Sequence, residues 1–234
     1  ALLDKGVTTI AHLTCVSSDE ARIDKMIALY RQRGIENIMA LRGDIPDDFD
    51  YEHMTYKYAS EIIPKIKAGG DFCIGGGCYP EKHPEAKSLD EDLKYLKEKC
   101  DLGVKALISQ LFFDNDIFCR WREKARSIGI TQPVIAGIMP LTSELQISKV
   151  VEMCGASVPV QVRRFAEAYG YNQAAIREAG IAYAVEQIID LIARGVDGIH
   201  LYTMNQSDTV RRIDTAIRCV LYTKRYEPLR EINH

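Results

Sequence analysis

The strongest constraint on this chain is a repeat of short apolar runs, each followed by a helical pattern and each ending in polar residues. The runs are Thr8–Thr14, Asn37–Arg42, Asp71–Gly76, Lys105–Gln110, Pro133–Ile138 and Asp197–Tyr202. Most are too short and too evenly apolar for amphipathic helices. They suit strands buried on both faces of a parallel sheet. Through the first five, strand starts recur roughly every 30 residues, the spacing of repeated βα units.

Helix signals lie between the runs. Ser17-Ser18-Asp19-Glu20 and Ser88-Leu89-Asp90-Glu91 read as capping boxes, and Ser143 and Asn172 read as caps of later helices. Pro64 lies in a helical pattern near residues 56–67 and is expected to kink that helix or delay its start. The longer gap from Pro140 to Asp197 has room for an extra helix near residues 159–169. Ala1–Val7 reads as a last helical turn, a Gly6 cap and entry into a strand.

Two sheet architectures compete. An open doubly wound sheet that binds dinucleotides carries G-x-G-x-x-G after its first strand, and that pattern is absent. Gly75-Gly76-Gly77 follows a strand, but a lone triplet is no fingerprint; it leaves a third reading, an enzyme binding a phosphorylated small molecule. The expected fold is therefore α/β, a (βα)8 TIM-type barrel. About six βα units are present, in a single incomplete catalytic domain over residues 1–234. The first two units, about 60 residues at this repeat length, are expected to precede the chain. In such a barrel the site lies at the C-terminal strand ends. Those ends hold His12 to Thr14, Arg42-Gly43-Asp44, Tyr79 to His83, Gln110, Met139-Pro140 and Tyr202 to Asn205.

Composition narrows the partners. A net charge of −3, with no long basic run, argues against nucleic acid. No apolar stretch reaches the ~20 residues of a membrane-spanning helix. The 7 cysteines form no C-x-x-C pair. They read as reduced thiols of a cytoplasmic protein, with no zinc site expected.

Six motifs in order carry a family resemblance. They are Ala11-His12-Leu13-Thr14-Cys15, Leu41-Arg42-Gly43-Asp44-Ile45-Pro46, Tyr79-Pro80-Glu81-Lys82-His83-Pro84-Glu85-Ala86, Ser109-Gln110-Leu111-Phe112-Phe113-Asp114, Gly137-Ile138-Met139-Pro140 and His200-Leu201-Tyr202-Thr203-Met204-Asn205. From about residue 8 to about residue 210 the chain resembles the methylenetetrahydrofolate reductase family in its short bacterial form. The resemblance implies an FAD-dependent flavoprotein oxidoreductase of one-carbon metabolism and methionine biosynthesis. Hydride passes from NADH or NADPH, or from a partner donor, through the flavin to 5,10-methylenetetrahydrofolate. The cofactor carries the redox chemistry and the protein supplies position and charge. A homo-oligomer is implied, and an electron-donating partner subunit is a further possibility.

The resemblance also implies roles. Asp44 is the catalytic expectation: a carboxylate near flavin and folate that favours positive charge on the folate. Flavin contacts fall on His12, Arg42, Gly43, Asp44, Tyr58, Ala59, Tyr79, His83, Pro84, Glu85, Ala86, Asp92 and Lys99. Folate contacts fall on Asp44, Gln110 and Gln146, the Gln110 amide donating and accepting together. Several have an ordinary alternative. Asp44 could simply cap a turn, Arg42 could form a rim ion pair, and Tyr79 and His83 could be packing residues. Asp92 and Lys99, two turns apart, could mark a solvated helix face, and Gln146 an exposed helix residue. Tyr95, Glu98 and Gln206 depart from the family pattern. The F-E-F-F-P-P-like motif bearing the family's general-acid Glu, and a flavin-contacting Thr, do not occur in this sequence. These departures motivate a second function: a non-catalytic barrel subunit or fragment that assembles with a partner.

Overall fold

A computed structural model describes residues 2–44 and 54–222. The six expected strands are all present: β1 (Ile10–Thr14), β2 (Asn37–Leu41), β3 (Cys73–Cys78), β4 (Ala106–Ser109), β5 (Val134–Ile138) and β6 (Gly198–Leu201). They alternate with α1 (Glu20–Gln32), α2 (Ala59–Gly69), α3 (Leu89–Leu102), α4 (Asn115–Ser127), α5 (Glu144–Cys154), α6 (Val160–Tyr169), α7 (Gln173–Ala193) and α8 (Ser207–Leu221). The extra helix expected before β6 is α6. Leu3–Lys5 form a 3-10 turn closed by Gly6 at φ 71°.

The strand order is that of the sequence, β1 to β6. The registers are parallel: Ile10 lies opposite Asn37, Asn37 opposite Cys73, and Ile135 opposite Gly198. A doubly wound sheet reverses its order at a switch point; this one does not. Consecutive parallel neighbours joined by helices are the topology of a βα-barrel, of which six units are present here.

The chain forms two compact units. One comprises Ala1–Ile108 with Lys124–Val134, the other Ser109–Glu123 with Ile135–His234. In the first, Ile38 and Ala40 of β2, Ile74 of β3 and Leu107 of β4 are buried. So are Ile23 and Ile27 of α1, Ile62, Ile63 and Ile66 of α2, and Leu93 and Leu96 of α3. In the second, Leu111, Phe113, Met139, Leu141, Ile147, Val150, Val162 and Ile176 form one apolar cluster. Phe112 stacks on Phe118 there, with centroids 4.6 Å apart. A buried aromatic or aliphatic side chain contributes about 1.5–3 kcal/mol relative to exposure, so these clusters fix where the strand-end loops emerge.

Two helix starts differ from expectation. Asp19, not Ser17, caps α1: its carboxylate accepts the Arg22 N–H at 2.8 Å, and Ser17 sits at φ 54° in the preceding turn. Pro64 does not delay α2, which begins at Ala59 and contains it. Glu61 accepts the N–H groups of Lys57 and Tyr58 at 2.6 and 2.7 Å, anchoring that start. Ser88 and Asn172 cap α3 and α7 as expected. Among the described residues no helix is long and apolar enough to cross a membrane, and no group of three His, Cys, Asp or Glu could hold a metal.

Candidate functional site

In the first unit, the loop after β3 is folded by its own side chains. Lys82, at φ 68°, turns its ammonium back to donate to the carbonyls of His83, Pro84 and Ala86 at 3.4, 3.4 and 3.0 Å. The Ala86 N–H closes on the His83 carbonyl at 2.9 Å. The His83 N–H donates to Asp92 Oδ2 at 3.2 Å, tying the loop to α3. The Tyr79 ring meets the His83 ring edge-on, centroids 4.7 Å apart.

The His83 tautomer follows from its neighbour. The Glu85 N–H can only donate, and it donates to His83 Nδ1 at 3.2 Å. Nδ1 is therefore unprotonated, and neutral His83 carries its proton on Nε2 as a donor. Burial, then the Arg42 charge, lowers its pKa below 6.5, which keeps the ring neutral.

Arg42 and Gly43 follow β2. The Arg42 guanidinium is held bidentately by Glu85, Nη1–Oε2 2.6 Å and Nη2–Oε1 2.8 Å. Arg42 depresses the Glu85 pKa below 4.5. The rim ion pair weighed for Arg42 is thus real, and its partner is another expected flavin residue. Gly43 has φ 87°, and a Cβ there would lie 2.7 Å from Val16 Cγ1. Asp44 is exposed. Ile45 and Pro46 of the same motif lie outside the described residues. His12 is exposed on β1, its carbonyl accepting the Tyr30 hydroxyl at 2.9 Å.

Asp92 and Lys99 do not occupy a solvated face. Asp92 holds the His83 loop, and burial raises its pKa from 3.8 against the opposing His83 N–H. Lys99 Nζ donates to the Gly77 carbonyl at the end of β3 at 2.8 Å, and burial lowers its pKa. Tyr58, which precedes Ala59 at the start of α2, and Tyr95, between Asp92 and Lys99, are exposed. The unit thus gathers a fixed ring donor, an aromatic edge, three cationic side chains and a glycine that its φ and Val16 require at the end of β2. No spacing rule signals the role of Lys82, and Tyr95 stands in the sequence only as a departure.

In the second unit, Gln110 follows β4 and its Oε1 accepts the Leu111 N–H at 2.9 Å. A backbone donor of its own chain thus takes one lone pair of the amide oxygen, and the second lone pair stays available beside the Nε2–H groups. Gln146 lies in the first turn of α5. Its Oε1 accepts both the N–H and the hydroxyl of Thr142, at 2.8 and 3.1 Å. Ser143 Oγ accepts the Gln146 N–H at 3.2 Å. Gln173 Nε2 donates to the Thr142 carbonyl at 2.7 Å, and Gln206 Nε2 lies 3.5 Å from Thr142 Oγ1. Thr142 is buried and was not singled out in the sequence. The signal was Ser143-Glu144-Leu145-Gln146, a capping box by its spacing. Tyr202 donates its hydroxyl to the Ser109 carbonyl at 2.9 Å, and Ser109 Oγ accepts the Gly137 N–H at 2.9 Å.

The family model described as Methylenetetrahydrofolate reductase matches residues 1–218. The chain is 36% identical over 211 residues to a protein of Caenorhabditis elegans named probable methylenetetrahydrofolate reductase (NADPH), covering 89% of this chain and 32% of that one. It is 34% identical to a probable methylenetetrahydrofolate reductase (NADH) of Oryza sativa subsp. japonica, covering 85% and 36%. It is 32% identical over 203 residues to 5,10-methylenetetrahydrofolate reductase of Escherichia coli (strain K12), covering 87% and 68%. The chain therefore spans about a third of the nematode and rice proteins and about two thirds of the bacterial one.

Proposed function

The chain belongs to the methylenetetrahydrofolate reductase family, and from that premise we propose that it reduces 5,10-methylenetetrahydrofolate to 5-methyltetrahydrofolate, using FAD and NADH or NADPH. The observation that carries the reading in this chain is the loop after β3. His83 is locked as an Nε2 donor, and Glu85 of the same loop clamps Arg42 beside Gly43 and Asp44.

These residues fit a flavin dinucleotide by the chemistry of their donors. Arg42, Lys82 and Lys99 give the positive charge that a pyrophosphate requires. Neutral His83 donates to a phosphate or ribose oxygen, and the exposed Tyr58 and edge-on Tyr79 offer apolar faces to a ring system. Gly43 keeps the end of β2 on its path, since a side chain there would collide with Val16. Held there, FAD would supply hydride transfer between nicotinamide and folate.

The remaining chemistry belongs to the protein. Asp44 is an exposed carboxylate at the end of β2. It opposes negative charge on its neighbours and stabilises positive charge developing on the folate. Gln110 and Gln146 hold the folate through their amides. His12, Pro84 and Ala86 supply contact surface for the cofactor, and Ala59 the start of the helix behind it. We assign the protein to the cytoplasm and to a homo-oligomer on the same family grounds.

The test is the visible spectrum of purified protein, followed by oxidation of NADH and NADPH dependent on methylenetetrahydrofolate. A flavin spectrum with folate-dependent turnover is expected, and Asp44→Asn should lower turnover by about 10²-fold. A colourless protein that takes up no added FAD would overturn the reading.

A further inference from the structure

The amides of Gln110 and Gln146 share a feature that their sequence positions do not reveal. Each oxygen is already occupied by a donor of the protein: Leu111 N–H for Gln110, and Thr142 N–H with Thr142 Oγ–H for Gln146. A backbone N–H cannot accept, so these contacts fix which end of each amide is oxygen. Each Nε2 donates to no acceptor among the described residues. Gln146, whose oxygen takes two donors, therefore presents N–H groups alone, while Gln110 keeps one acceptor lone pair beside its N–H groups.

At Gln146 the orientation is imposed by a chain of bonds within one unit. Arg177 Nη2 donates to Thr209 Oγ1 at 3.0 Å, and Thr209 donates to Gln206 Oε1 at 3.2 Å. That leaves Gln206 Nε2 to face Thr142 Oγ1 at 3.5 Å and the Thr142 hydroxyl proton to point at Gln146. Gln173 fixes the Thr142 backbone from the start of α7. Thr142 and Thr209 are both buried, so water does not compete for these bonds.

We infer that Thr142 is a positioning residue that holds Gln146 as a donor-only contact, so that Gln146 recognises an acceptor atom of the substrate, a carbonyl oxygen or unprotonated ring nitrogen. The inference rests on the proposed folate reading of Gln146. A site built around an N–H donor discriminates against a ligand that offers it another donor, because the mismatch leaves both groups unpaired.

The bland alternative is that Gln146 only caps α5. Gln146→Glu separates the two. A carboxylate keeps both Thr142 bonds and the cap but replaces the outward N–H groups with oxygen. The measurement is binding of 5-methyltetrahydrofolate to the flavin-loaded protein by calorimetry, with the thermal midpoint recorded for each variant. Q146E should keep its midpoint and lose at least about tenfold in affinity. T142V should lose about fivefold, T142S should restore it, and T142V should add nothing in a Q146A background. Affinity of Q146E within twofold of wild type, or additive effects of T142V and Q146A, would overturn the inference. If T142V does not fold, Q146E decides alone. A wild-type protein that binds flavin but no folate sinks the folate reading, and this inference with it.

Discussion

Arg42 and Glu85 face each other fork to fork, two N–O contacts of 2.6 and 2.8 Å joining residues 43 apart in sequence. The pair fastens the end of β2 to the loop after β3. It also sets the charge of that loop, since a guanidinium clamped this way stays where it is placed.

Removing the carboxylate should therefore alter binding more than stability. Glu85 is more than half exposed, which limits the pair to at most about 1 kcal/mol of folding free energy. Glu85→Ala should lower the unfolding free energy by no more than that in urea titration and weaken FAD binding several-fold. Its pH dependence follows from the depressed Glu85 pKa. The contribution is full above the ordinary carboxylate value and is lost as pH falls through the lowered one. Wild type and variant should thus converge in acid; a gap that widens there would refute the pairing as the cause.

His83 should titrate below 6.5. Its folded pKa is lowered by burial, so as pH falls from neutrality the unfolded chain takes up its proton first and stability declines across that window. NMR of the imidazole nitrogens should show the Nε2–H tautomer near neutral pH. A midpoint above the ordinary histidine value, or the Nδ1–H form, would contradict the Glu85 contact.

Gly43→Ala combines two penalties: φ 87° and a Cβ 2.7 Å from Val16. The expected loss is about 1–3 kcal/mol, read as a lower thermal midpoint. Gly180 of α7 is a harder case, because a Cβ there would lie 1.6 Å from the Leu141 carbonyl oxygen. Gly180→Ala should cost about 3 kcal/mol or more and displace the loop that carries Thr142. A variant as stable as wild type would show that α7 does not pack on that loop so closely.

Lys99→Met tests a cation kept for function. Burial already penalises the ammonium, which among the described residues donates to the Gly77 carbonyl and is attracted by Asp92. Relief of desolvation should offset the lost hydrogen bond, leaving stability within about 1 kcal/mol of wild type. FAD affinity should fall by at least about tenfold if the charge serves the pyrophosphate. Equal affinity would remove Lys99 from the site.

Much of the fold was legible because parallel, doubly buried strands leave continuous apolar runs. Each run marked a strand to within two residues at either end. Caps at Ser88, Ser143 and Asn172 were legible for a similar reason, since their partners lie within three residues. At the start of α1, Ser17 and Asp19 satisfy the same local pattern, and only backbone direction makes Asp19 the cap. Lys82 and Thr142 carry no such signal, because their partners are loop carbonyls and an amide that no periodicity encodes.

The sequence alone determined the six βα units, the strand-end placement of Arg42, His83 and Gln110, and membership in a family. Those properties depend on local pattern and on motif order along the chain. The tertiary structure decided how the atoms of those residues are engaged. Glu85 N–H chose the His83 tautomer, Glu85 carboxylate chose the Arg42 orientation, and Thr142 chose the outward face of Gln146. A polar side chain has few donors and acceptors, and folding consumes some of them. Which ones survive to meet a ligand depends on the neighbours that folding brings alongside.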